Sequence, residues 1–134
     1  MMSSDPQLTV TAAYDTATGR QLWVGRYRGP GTSSGARTVA VSPDGRTVYV
    51  TGQGPAGPAG LVYATIAYRA ATGARLWVSR RHVAAAPSYD FPGDFVDSPD
   101  GQLAVSPNGR TVVIIGFSAR TRHNPDFLAI AYRT

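Results

Sequence analysis

The segment Ala67-Tyr68-Arg69-Ala70-Ala71-Thr72-Gly73-Ala74-Arg75-Leu76-Trp77-Val78 recurs within the chain. Its earlier form is Ala13-Tyr14-Asp15-Thr16-Ala17-Thr18-Gly19-Arg20-Gln21-Leu22-Trp23-Val24, and a third begins at Ala131-Tyr132-Arg133-Thr134. Internal repetition constrains a fold more tightly than local propensity, because every copy must be the same supersecondary unit. Tyr14 and Tyr68 are 54 residues apart, as are Trp23 and Trp77; Pro43 and Pro107 are 64 apart, as are Tyr68 and Tyr132. Gly52–Tyr68 and Gly116–Tyr132 both span 16 residues, so the ten extra residues lie between His82 and Gln102.

Each unit reads as β-hairpins. Leu8–Asp15 and Gln21–Tyr27 are β-branched and aromatic. The turn between them has Asp15 to accept backbone N–H bonds and Gly19 to take the left-handed conformation. Thr38–Val41 and Arg46–Gly52 flank Ser42-Pro43-Asp44-Gly45, where Pro fixes φ and Gly suits the last position of a type I turn with a bulge. Val62–Arg69 pairs with Arg75–Arg81. Leu103–Val105, the turn Ser106-Pro107-Asn108-Gly109 and Arg110–Gly116 form the next hairpin, and Asp126–Thr134 is the last strand. Met1–Gln7 is polar and expected to fray. Glu and Lys are absent while Gly numbers 15 and Pro 10, which argues against helices.

Four strands per repeat joined by short turns make an antiparallel meander, one blade of a β-propeller with strand A innermost and D outermost. The fold class expected is therefore all-β, a partial propeller of about two and a quarter blades. After a disordered 1–7, residues 8–27 are strands C and D of one blade, 38–81 a complete blade, and 103–134 strands A to C of the next. Nine strands do not close a ring of about four to eight blades. The break after Arg133-Thr134, part-way through the motif, leads us to expect a fragment of a longer array.

The pattern Ala13-x-Asp15-x-x-Thr18-Gly19-x-x-x-Trp23 resembles the tryptophan-docking repeat of pyrroloquinoline-quinone-type (PQQ-like) propellers. Val39-Ala40-Val41-Ser42-Pro43-Asp44-Gly45, running into Val48-Tyr49-Val50, is similar to the repeat of bacterial YVTN-type and lactonase-like propellers. The resemblance implies that Trp23 and Trp77 lock neighbouring blades together. It also departs from the pattern: Arg69 and Arg133 stand where the motif has Asp, so the Arg69 turn is expected to lose its side-chain cap. Related quinone enzymes hold calcium and quinone in an acidic site of a closed ring, many with a vicinal disulfide; this chain has neither Glu nor Cys. Relatives of this type are often secreted or periplasmic, although Met1–Leu8 has no signal-peptide pattern and the sequence leaves localisation open.

Chemistry-bearing residues are sparse. The net charge of +5 could mark a polyanion binder. Arg20, Arg46, Arg75 and Arg110 follow turn glycines at repeat-fixed positions, however, and belong to the scaffold, so no nucleic-acid partner is expected. No apolar run approaches membrane-spanning length. The tight turns should share one face of the propeller, and the connections Arg28–Arg37, Gln53–Leu61, His82–Gln102 and Ser118–Pro125 the other, where binding residues usually sit on a rigid scaffold. The longest carries Tyr89, Asp90, Phe91, Asp94, Phe95, Asp97 and Asp100. Aromatics among carboxylates suit a small polar ligand, but the Asp spacing of 4, 3 and 3 matches no calcium loop, and Ser98–Gly101 lies outside the repeat register. Arg120, Arg122 and His123 share this face and could pair with those carboxylates. His82 and His123, the two histidines, lie in different connections and make no metal pair. Ser42 and Ser106 are turn residues without a base. We therefore assign no catalytic set, metal or cofactor. We expect a repeat scaffold that binds an unknown ligand or protein on the loop face and self-associates through its open edges. The alternative is a fragment of a propeller enzyme, lactonase-like or quinone-dependent.

Overall fold

The computed structural model describes residues 8–28, 35–55, 60–84, 102–121 and 124–134. These form nine strands and no helix: β1 (Leu8–Tyr14), β2 (Gln21–Arg28), β3 (Gly35–Val41), β4 (Thr47–Pro55), β5 (Gly60–Arg69), β6 (Arg75–Ala84), β7 (Gln102–Val105), β8 (Thr111–Thr121) and β9 (Asn124–Arg133). Every pairing is antiparallel and sequential. The result is a two-stranded sheet, β1-β2, a four-stranded sheet, β3-β4-β5-β6, and a three-stranded sheet, β7-β8-β9. The all-β antiparallel expectation holds.

The strands run further than their composition announced. Polar Ser118–Pro125 reads as a connection, yet Ser118 pairs with Asp126 and Ala119 with Pro125, leaving residues 122–123 between β8 and β9. Pairing likewise carries Pro55 opposite Leu61 and Gly60 opposite Ala84. Backbone pairing does not need an apolar side chain once a twisted ribbon has begun, so polar composition understated strand length. Arg37 is skipped where β3 slips register between Ala36 and Thr38, a bulge in an edge strand of the middle sheet.

The turn chemistry follows the sequence closely. Gly19, Gly45, Gly73 and Gly109 are the positive-φ residues among those described. Asp15 Oδ1 accepts the amides of Ala17 at 2.9 Å and Thr18 at 2.8 Å and the Thr18 hydroxyl at 3.0 Å. In the other hairpin type, the Gly45 amide donates to Ser42 O at 2.8 Å, and Gly109 does the same to Ser106 O.

The middle sheet is covered on both faces. On one, Val50, Ala64, Ile66 and Tyr68 pack with Trp23 and Tyr27 of the first sheet. On the other, Tyr49 and Ala67 pack with Val112 of the third. Alternate side chains of a strand point to opposite faces, so β5 is buried without a break from Val62 to Tyr68. Burial pushes the Tyr68 phenol above its ordinary value. The first and second sheets approach closely at Gly25, where a Cβ would come within 2.8 Å of the Tyr68 ring.

Candidate functional site

The tight turns of the second and third sheets lie side by side. Between them a cavity of about 470 Å³ opens at the turn edge, a volume in the range of small-ligand pockets. Tyr49 and Trp77 line it, 6.0 Å apart between ring centroids, and the Trp77 ring also lies 5.9 Å from Tyr132. Its walls are Ser42–Asp44 from the β3–β4 turn and Pro107–Gly109 from the β7–β8 turn, with Thr47, Leu76 and Thr134 at the margins.

Both wall turns are self-satisfied. Ser42 Oγ donates to Asp44 Oδ1 at 2.5 Å and accepts the Thr47 amide at 2.9 Å, while Asp44 Oδ1 also accepts the Arg46 amide at 3.0 Å. The Ser42 hydroxyl, the Arg46 amide and the Arg46 charge together hold the Asp44 carboxyl below its ordinary value. Ser106 and Asn108 repeat the pattern, Ser106 Oγ meeting Asn108 Oδ1 at 2.7 Å and the Arg110 amide reaching Asn108 Oδ1 at 3.0 Å. One wall therefore carries a carboxylate where the other carries a neutral amide.

This arrangement can hold a flat or apolar group over the indole and offer it polar rim atoms. Among the described residues it does not assemble a nucleophile with a base: Ser42 is committed to its own turn, and no described histidine lines the cavity. Among the described residues no cluster of three or more His, Cys, Asp or Glu could hold a metal.

Trp77 differs from its repeat equivalent. Trp23 is buried, and its indole N–H donates to Ala70 O at 2.7 Å. Its ring lies against Gly73, where a Cβ would sit 2.6 Å from the indole. Trp23 thus joins the first sheet to the backbone of the β5–β6 turn. Trp77 repeats the contact with tyrosine, at 5.9 Å to Tyr132 just as Trp23 stands 5.9 Å from Tyr68. It is only half-buried, and among the described residues its N–H meets no acceptor. The cavity lies beside Trp77, whereas the β5–β6 turn lies against Trp23.

Of the residues singled out from the sequence, His82 is exposed on β6, opposite Val62. Met1–Gln7, Tyr89, Asp90, Phe91, Asp94, Phe95, Asp97, Asp100, Ser98–Gly101, Arg122 and His123 lie outside the described residues, as does the side chain of Arg120. The cavity was not anticipated. The signal for it was present in the two Ser-Pro turns 64 residues apart, but it lay on the face assigned to scaffold.

No family model, curated protein or solved structure matches this chain.

Proposed function

We propose that the chain is a non-catalytic β-propeller scaffold that presents a partner-binding surface on the edge carrying its variable connections. The observation that carries this reading is the sorting of its chain reversals. The β1–β2, β3–β4, β5–β6 and β7–β8 reversals are short, closed by their own side chains or by Trp23, and gathered at one edge. The connections 29–34, 56–59, 85–101 and 122–123 leave the opposite ends of the strands and differ widely in length. A rigid frame with length variation confined to one edge is the usual arrangement of a binding scaffold.

The test removes ten residues, 85–94, which brings the longest connection to the length of its counterpart in the preceding repeat. Loop length enters stability only logarithmically, so the melt should move by about 1 kcal/mol or less. Retention of whatever partner the immobilised intact chain captures should be lost. Turnover of lactones, or of alcohols with added pyrroloquinoline quinone, would overturn the reading in favour of an enzyme.

A further inference from the structure

The two ends of the stack carry complementary halves of an interface that the chain already builds internally. Leu8, Val10 and Tyr14 of β1 occupy the repeat positions of Val62, Ala64 and Tyr68 of β5, 54 residues on. The β5 residues are 1%, 8% and 1% exposed, because that face of the middle sheet is covered by the first sheet. Their β1 counterparts are 43%, 53% and 58% exposed. At the other end, Val113, Ile115 and Ala131 occupy the positions of Tyr49, Thr51 and Ala67, 64 residues back. Thr51 is 0% exposed where Ile115 is 46%. Each end of the chain therefore shows the surface that the other end is patterned to receive.

We propose that a second copy of this chain docks head to tail across these faces, the first sheet of one copy on the third sheet of the other, and that two copies close a ring. A head-to-tail contact must either close or propagate. With three sheets among the described residues of each copy, two copies bring six and three bring nine; propeller rings hold about four to eight, so for the 134-residue chain the two-copy ring is the form proposed. This inference rests on the propeller reading and adds to it the occupant of the end faces.

The experiment is a dilution series of the full chain from millimolar to sub-micromolar, read by sedimentation velocity, with Val10→Asp and Ile115→Asp alongside. The parent should sediment at twice the monomer mass. Each variant buries an uncompensated carboxylate in both contacts of the ring, and its dimer should be at least about a hundredfold weaker. An equimolar mixture of the two should associate more strongly than either alone, because pairing unlike copies leaves one of the two contacts unaltered. Circular dichroism and the buried-indole emission of Trp23 check that each variant is folded; should either Asp variant fail this check, Val10→Thr and Ile115→Thr replace the pair, with the same ordering expected. A folded parent that stays monomeric at millimolar concentration overturns the dimer and leaves the scaffold reading standing. A variant that associates as well as the parent, or a mixture no stronger than its components, overturns the head-to-tail geometry.

Discussion

The junction between the first and second sheets and the junction between the second and third use the same parts and are finished differently. At the first, Trp23 is buried against Tyr68, bonded to Ala70 O and capped by Gly73, while Arg80 reaches across to the Tyr27 hydroxyl at 2.6 Å. At the second, Trp77 meets Tyr132 at the same distance but faces a cavity instead of a turn. The tryptophan therefore contributes area at both junctions but a fixed geometry only where a glycine turn covers it. The turns show the converse. Asp15 caps the β1–β2 turn from within, and Gly19 has nothing within 4 Å of a would-be Cβ. The β5–β6 turn has Arg69 in place of Asp, and no side chain of its own caps it at that position; Trp23 holds it instead. A turn in this fold is secured by its own Asp or Asn side chain or by its neighbour's indole.

The largest effect expected from that contrast is at the indoles. Trp23→Ala should cost about 3–5 kcal/mol, the range for a buried aromatic, and Trp77→Ala less than half as much. Urea denaturation of the two variants decides it, and equal losses would break the comparison. Next come the turn glycines. Gly73→Ala combines left-handed strain with a collision against the Trp23 ring and should cost about 2–4 kcal/mol. Gly19→Ala carries the strain alone, about 1–2 kcal/mol. Thermal melts that fail to separate these two would mean that the ring gives way freely.

Smaller still is the indole N–H. Trp23→Phe leaves the Ala70 carbonyl without its donor and should lose about 1–2 kcal/mol beyond the change in ring area. Trp77→Phe should show no such excess, which a paired melt can read. The smallest effect concerns pH. The Thr18 amide and hydroxyl and the Ala17 amide hold the Asp15 carboxyl below its ordinary value of 3.8, and Asp44 is lowered likewise. A depressed carboxylate contributes stability that is complete above its unfolded value and lost as pH falls through its folded one. Stability should therefore fall below about pH 4. Asp15→Asn should flatten the acid limb of that profile at the first turn, and Asp44→Asn at the cavity wall. A profile indifferent to both substitutions would remove the carboxylate from the description of the capped turn.

Much of this was legible in the chain. Fixed glycines at 19, 45, 73 and 109 announced the hairpins, because only glycine takes positive φ without strain, and strand alternation announced the sheets. Strand ends were not legible: Ser118, Thr121 and Asn124 carry loop-type side chains but pair through their backbones. The difference between Trp23 and Trp77 was also hidden. A side chain's burial depends on what stands opposite it in space, and the two indoles have nearly the same local sequence. The cavity was missed for that reason, being a property of the junction and of no single segment.

The Trp23 lock has a consequence for how such a chain can change over generations. Its indole reads a backbone carbonyl, the absence of a side chain at Gly73 and the ring of Tyr68. The equivalent carbonyl belongs to Thr16, Ala70 or Thr134 in the three forms of the motif. A unit that presents a glycine turn can thus be duplicated, lost or exchanged for its neighbour without a matching change in the tryptophan that meets it. Drift elsewhere on the receiving turn is then tolerated so long as the glycine and the tyrosine before it stay, which leaves the number of units free to vary while the joint between them is inherited intact.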